Sequence, residues 1–140
     1  MKVSFVLKET FEAEPSVIYD AWLDSTLHSE MTGGEAHCTD KAGDPFSTWD
    51  GYITGRNIEL IKDEKIVQSW RTTEFHQNDD DSILTIELTK KPNGGTELTL
   101  AHSNIPEGQT QYEQGWIDNY FVPMKDLFSR LKRESGDHTL

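Results

Sequence analysis

The sequence has 140 residues and carries 25 acidic against 13 basic side chains, which gives a formal net charge of −12. This length favours a single domain that buries one sizeable core. The negative surface repels phosphate backbones and anionic lipid headgroups, which argues against nucleic acid or a membrane surface as the partner.

The first part of the chain is predicted to form one strand and two short helices. Apolar and polar residues alternate over 3–11, which is the period of a half-buried strand. Pro15 suits the first position of a helix, because its missing N–H would have no partner there. Asp24 can cap a second short helix, and the glycine pair that begins at Gly33 ends it.

The middle of the chain is predicted to form six further strands. Turn-forming residues separate the apolar segments at short intervals, as in the hairpin turn at 92–95. Short connections of this kind join antiparallel neighbours, so the strands form a meander. They are predicted at 35–39, 46–60 (two strands joined by a bend), 65–75, 83–90 and 96–103.

The last apolar segment predicts a long helix from about Thr110 to Leu131. At 1.5 Å per residue it would be ~33 Å long and would cross the ~29 Å width of seven strands. Pro123 removes one backbone donor from this helix and predicts a kink. A kinked helix over a curved sheet would leave one end of the interface open as the mouth of a pocket.

We expect one domain over residues 1–132 and a polar tail over 133–140. The single cysteine, Cys38, precludes an internal disulfide and fits a reducing compartment. The apolar run at the N-terminus is too short for a signal peptide, and no segment approaches the ~20 apolar residues of a membrane span. The sequence therefore predicts a cytoplasmic protein without membrane insertion.

Several motifs together carry a family resemblance that spans nearly the whole chain. A Trp-Arg pair lies on a predicted strand, an Ile-Pro pair follows the last strand, and a Gly-Trp pair lies in the final helix. On these motifs the chain resembles the C-terminal domain of the activator of heat-shock protein 90 ATPase. The segments concerned are 51–60, 66–71, 96–100 and 105–116, with Tyr120 and Phe121.

The resemblance implies an α+β helix-grip fold of the START-like (SRPBCC, Bet v-like) superfamily. This fold has a seven-stranded curved antiparallel sheet, two short helices after the first strand, and a long C-terminal helix packed across the sheet above a hydrophobic cavity. The resemblance also implies a co-chaperone or stress-response role. The full eukaryotic activators carry a further N-terminal domain that makes much of the chaperone contact, so we expect this chain to resemble the stand-alone versions.

Eight residues are candidates for the lining of that cavity. Tryptophan and tyrosine combine a large apolar area with one polar group, the indole N–H or the hydroxyl, which suits an amphipathic ligand. Their commoner role, however, is to fill the core. His102 shares strand parity with Leu100 and could contact a ligand; the alternative is a rim histidine bonded to backbone or water. The candidates are Trp49, Tyr52, Trp70, Leu100, His102, Trp116, Tyr120 and Met124.

Three functions are compatible with the sequence. The leading hypothesis is that a small hydrophobic or amphipathic molecule, such as a lipid, binds in the cavity. The alternatives are a protein-interaction module that contacts a chaperone, and a cyclase or dehydratase that uses His102 as an acid–base group. Common catalytic motifs are missing from the sequence, and His37 and Cys38 would face opposite ways on a strand, so we expect no enzyme activity, metal or cofactor.

Overall fold

The structure of the protein is a computed structural model that describes residues 1–137. Within that range six antiparallel strands form one sheet in the order β1-β6-β5-β4-β3-β2. The strands are β1 (Val3–Phe11), β2 (Pro45–Thr48), β3 (Ile53–Ile61), β4 (Lys65–Thr72), β5 (Ser82–Lys90) and β6 (Thr96–Ile105). The helices are α1 (Pro15–Leu23), α2 (Ser25–Thr32), α3 (Tyr112–Trp116) and α4 (Val122–Asp137), with a 3₁₀ turn at Trp49–Gly51 and a π-helical turn at Ile117–Phe121.

The sheet buries one face under the helices and leaves the other face towards solvent. In β4 the residues Ile66, Gln68, Trp70 and Thr72 are buried, and each residue between them is only half-buried. This period of two is what an antiparallel sheet shows when it is covered on one side. The α+β fold with a C-terminal helix across the sheet is therefore confirmed.

The predicted strand at 35–39 is wrong, and the described chain has six strands rather than seven. His37 forms only an isolated bridge with Ser47. Two other N–H groups of this segment donate to the hydroxyl oxygens of Ser29 and Ser25 on α2, at 2.9 and 2.8 Å. Because the helix takes these donors, they do not extend a strand ladder.

The C-terminal helix is irregular where Pro123 is predicted to disturb it. Pro123 has no N–H to donate to the carbonyl of Asn119, and its ring crowds that turn. The turn at Ile117–Phe121 widens into a π-helix, in which the N–H of Val122 donates to the carbonyl of Ile117, five residues earlier. A widened turn therefore joins α3 to α4 in place of one continuous α-helix.

The interface under α4 is filled by packed side chains. Met124, Leu127 and Phe128 are at most 2% exposed. Phe11 of β1 meets Phe128 edge to face, with ring centroids 5.7 Å apart, which is a favourable aromatic geometry. This end of the helix–sheet interface is solid core.

The last helix is longer than predicted, because it continues to Asp137 instead of ending near Leu131. The polar tail predicted over 133–140 lies partly in this helix, and residues 138–140 lie outside the described range. The domain boundary at residue 132 stays a prediction. Of the helices within residues 1–137, none combines the length and the apolarity needed to cross a bilayer.

A methyl group at Gly55 is predicted to destabilise the sheet. The Cβ of Gly55→Ala would overlap the carbonyl oxygen of Ser69 on β4 and lie 2.7 Å from the Phe46 ring on β2. Such overpacking should lower the free energy of unfolding by about 3 kcal/mol, measured from urea unfolding curves. Gly115→Ala is the matched control, because its Cβ would meet only Asn119 Nδ2, at 3.9 Å, and alanine favours a helix. An equal loss in both variants would contradict this account.

Candidate functional site

An open cleft lies where α3 faces the Trp49–Gly51 turn and the start of β3. Its volume is about 490 Å³, which falls within the range of small-molecule sites. Trp70 of β4 contributes a wall that is 3% exposed. The lining residues are Trp49, Tyr52, Ile53, Trp70, Gln111, Tyr112, Gly115, Trp116, Asn119 and Tyr120.

The wall opposite α3 is a strained turn. Trp49, Asp50 and Gly51 have φ values of 54°, 57° and 89°, so three successive residues are left-handed. This conformation costs a residue other than glycine on the order of 1–3 kcal/mol. Asp50 fixes the turn, since its N–H donates to the carbonyl of Glu35 and its carboxylate accepts from the N–H of Glu35. The turn brings the Trp49 ring to 6.2 Å from Tyr120 at the edge of the cleft.

Stacked aromatic rings separate the cleft from the core. Trp116 lies nearly parallel to Trp22, with ring centroids 5.9 Å apart and an interplanar angle of 27°. Tyr120 lies 4.7 Å from Trp116, and Tyr112 meets Trp70 edge-on at 4.9 Å. Such pairs add stability beyond the area they bury and hold the ring positions. The cleft therefore has a preformed aromatic wall.

A chain of hydrogen bonds ties α3 to the sheet through His102. Trp116 Nε1 donates to His102 Nδ1 at 3.0 Å, so the other ring nitrogen of the neutral imidazole carries the proton. His102 Nε2 then donates to Ser82 Oγ at 2.8 Å, and Ser82 Oγ donates to the carbonyl of Trp70 at 2.6 Å. Burial lowers the pKa of His102 to about 3. The imidazole ring is therefore neutral and links α3 to β5 through its two hydrogen bonds.

His28 connects α2 to the C-terminal helix in the same way. His28 Nδ1 donates to the carbonyl of Trp22 at 2.8 Å, which leaves Nε2 to accept from the hydroxyl of Tyr120 at 2.9 Å. Burial lowers the pKa of His28 to about 4, although the bond to Trp22 opposes the shift. Burial also raises the pKa of Tyr120. Both groups are neutral near pH 7 and act as a fixed hydrogen-bonded pair.

Two further tyrosines, Tyr52 and Tyr112, line the cleft. The hydroxyl of Tyr112 donates to Gln109 Oε1 at 2.7 Å and accepts from Thr72 Oγ1 at 2.7 Å. The hydroxyl of Tyr52 donates to the carboxylate of Glu74, and burial raises the pKa of Tyr52. Both side chains line the cleft while their hydroxyl groups are bonded to neighbouring residues.

The structure brings most of the predicted cavity residues together at this cleft. Trp49, Tyr52, Trp70, Trp116 and Tyr120 all lie on its wall. Whether they bind a ligand stays a prediction.

Leu100, His102 and Met124 do not lie on the wall, and their placement there is corrected. All three are 0% exposed. Leu100 and His102 do face inward, as strand parity predicts, but the Trp70 ring lies 4.6 Å from His102 and covers it. The alternative of a rim histidine is wrong for the same reason. Met124 lies beyond the π-turn, in the packed end of the interface.

Sequence reasoning missed the second row of residues on the cleft. Gln111, Gly115 and Asn119 follow one another at intervals of four, which places them on one face of the helix. They flank the aromatic row that begins at Tyr112, a lining residue that was also not among the candidates. The available signal was this polar row beside an aromatic row on the same helix. Any amphipathic helix has such a border between its polar and apolar faces, so the pattern did not identify a binding site. Ile53 had no distinguishing signal.

The arrangement suits binding better than catalysis. The lining residues offer aromatic faces, amides and hydroxyl groups, and both nitrogens of His102 are engaged elsewhere. The cyclase hypothesis therefore lacks its acid–base group at the cleft. Among residues 1–137, no cluster of three or more His, Cys, Asp or Glu side chains is placed to hold a metal ion.

A family model described as Activator of Hsp90 ATPase homolog 1-like protein matches residues 12–129. The Homo sapiens protein named Activator of 90 kDa heat shock protein ATPase homolog 1 is 32% identical over 124 residues, which cover 87% of this chain and 36% of that protein. A homologue named in the same way from Dictyostelium discoideum is 28% identical over 124 residues, covering 88% and 32%. The chain thus spans about a third of the length of these curated relatives.

A solved structure extends the comparison. The crystal structure of an HSP90 activator from Plasmodium falciparum matches with a TM-score of 0.83 and 28% identity. The match covers 90% of this chain and 96% of that chain. The likeness therefore extends over almost the whole of both chains.

The two buried histidines are predicted to make the fold sensitive to acid. Their folded pKa values, about 4 for His28 and about 3 for His102, lie below the unfolded value near 6.5. Unfolding therefore takes up protons below pH 6.5, and the stability present above that pH is lost as the pH falls. Between pH 7 and pH 5, each histidine should lower the free energy of unfolding by about 2 kcal/mol, measured by urea unfolding.

The variant His102→Gln separates this effect from general acid sensitivity. Its amide can donate and accept but does not titrate, so the loss between pH 7 and pH 5 should shrink by about 2 kcal/mol. The control is His76→Gln, at an exposed loop position, which should keep the wild-type slope. An unchanged slope in His102→Gln would refute the assignment.

Proposed function

We infer that this chain, which belongs to the family of Activator of Hsp90 ATPase homolog 1-like proteins, is an accessory binding domain that contacts an Hsp90-type chaperone. The observation that carries this proposal is the match to an HSP90 activator over 96% of that protein's chain. The curated relatives are likewise named as activators of a chaperone ATPase. Because the chain spans about a third of those relatives, their whole activity is part of the proposal.

Charge supports a partner with a basic surface. The net charge of −12 gives the domain a strong negative field, which speeds encounters with a positive patch. Interactions of this kind weaken with salt, because the screening length falls from about 10 Å at 0.1 M to about 3 Å at 1 M. The cytoplasmic location stays a prediction.

Chaperone binding is predicted to be direct and salt-sensitive. The chain, labelled at its N-terminus, should bind purified Hsp90 saturably in fluorescence anisotropy at low ionic strength and more weakly as salt rises. The ATPase rate of the chaperone should rise in parallel with occupancy. An unrelated protein of the same net charge is the control. No association at the lowest salt tested would contradict the proposal.

A second candidate function is that the cleft binds a small hydrophobic or amphipathic molecule. The observation that favours it is the aromatic space of about 490 Å³, which side chains leave open at one end of an otherwise filled interface. Burial of apolar ligand surface there would provide roughly 25 cal/mol per Å² before the costs of ordering. The preformed wall keeps the ordering cost of the protein low.

Filling the cleft is predicted to abolish ligand binding without loss of the fold. Gly115 lines the cleft, and a Cβ there would meet only Asn119 Nδ2, at 3.9 Å, so Gly115→Phe should place its ring in the cleft. A library of lipids and aromatic metabolites should raise the melting temperature of wild type and of Gly115→Ala, but not of Gly115→Phe. No stabilising compound for wild type would contradict the second function. Loss of chaperone binding in Gly115→Phe would instead place that contact at the cleft.

A further inference from the structure

The cleft is uncharged although the chain is strongly acidic. None of its ten lining residues is Asp, Glu, Lys, Arg or His, whereas 27% of the residues in the sequence are charged. At its edge, the carboxylate of Glu74 is engaged by Tyr52. A charged ligand would lose water in this cleft without gaining an opposite charge. The walls therefore favour an uncharged molecule.

Trp70, which lines this cleft, has a hydrogen-bond donor without a partner among residues 1–137. Its side chain is 3% exposed and lies on the cleft wall. In contrast, the indole N–H groups of Trp22 and Trp116 donate to Gln68 and His102.

The Trp70 donor also stays accessible. The fully enclosed side-chain atoms without a partner in the described range are Thr48 Oγ1 and Asp63 Oδ1, so Trp70 Nε1 is not sealed off. A buried donor normally has a partner, because an unpaired one is costly. A ligand atom can supply the partner here.

We propose that the cleft binds an uncharged, largely apolar small molecule whose carbonyl or ether oxygen accepts a hydrogen bond from Trp70 Nε1. This inference rests on the proposed ligand-binding role of the cleft. The apolar part of the molecule contacts the ring faces of Trp116 and Tyr120. The exposed amides of Gln111 and Asn119 border the mouth, where the ligand meets water. The single donor orients the ligand, and the rings provide most of the contact area.

The donor is tested first by NMR on the ¹⁵N-labelled whole chain. The chain has four tryptophans, and single Trp→Phe variants assign their indole signals. In the free protein, the Trp70 indole N–H should exchange with water faster than those of Trp22 and Trp116, which are bonded inside the protein. Naphthyl methyl ketone should shift the Trp70 signal downfield and slow its exchange. Isopropylnaphthalene, which has the same number of heavy atoms but no oxygen, should cause no downfield shift.

Affinity tests the selectivity with the same molecules. Wild type should bind the ketone about tenfold more tightly than isopropylnaphthalene, and the anionic naphthoate at least about tenfold more weakly than the ketone. Trp70→Phe keeps a ring but lacks the N–H, so it should bind the ketone and the hydrocarbon equally. Trp22→Phe is the matched control: it removes an indole N–H that is bonded to Gln68 inside the protein, at a residue that does not line the cleft, and should keep the preference.

Each outcome decides the proposal. Equal binding of ketone and hydrocarbon by wild type would overturn the role of Trp70 and leave the ligand-binding function standing. Naphthoate binding as tight as that of the ketone would overturn the uncharged class. If neither these probes nor the wider library stabilises wild type, both the function and this inference fail together. Should Trp70→Phe not fold, the exchange rate and signal shift in wild type still give the answer.

Discussion

The hydrogen bond from the Trp116 indole to His102 ties α3 to the sheet, and the position of the cleft wall depends on it. It fixes the tautomer of a fully buried imidazole. The imidazole in turn donates to Ser82, and Ser82 donates to the backbone carbonyl of Trp70. Because protonation would break this chain and place a charge in the core, His102 is limited to a neutral role. The same bond that positions the cleft wall thus occupies His102 Nδ1, which is no longer available to a ligand.

The cleft exists because the two ends of the helix meet the sheet differently. Beyond the π-turn, Met124 and Phe128 fill the interface completely. Before it, the strained turn at Trp49–Gly51 faces α3 across open space, with Trp70 behind. The result is an acidic exterior that suits electrostatic encounter with a protein, and an uncharged aromatic recess that suits a small molecule. These two kinds of recognition use different physical forces and can be separated experimentally by salt.

The sequence was sufficient for the layout but not for several local outcomes. Strand alternation, Pro15 and the apolar C-terminal segment predicted the element order, and the motif pairs predicted the family. The prediction of a strand at 35–39 was wrong because the serine hydroxyls of α2 accept hydrogen bonds from its backbone N–H groups. The periodicity of a segment carries no information about such contacts with another segment. Strand parity placed His102 on the correct face of the sheet. Parity does not show how deeply a side chain is buried, however, and the Trp70 ring covers His102.

By itself, therefore, the sequence determined which faces are apolar, where the backbone of the last helix is interrupted, and that aromatic side chains concentrate between helix and sheet. Only the tertiary structure decided which of those rings border open space and which fill the core. The reason is that local patterns specify the direction of a side chain along its own element, whereas burial and hydrogen-bond partners depend on the residues that other elements bring opposite it. For Trp70, one of several aromatic residues in the sequence, that opposing environment is what places it on the wall of the cleft.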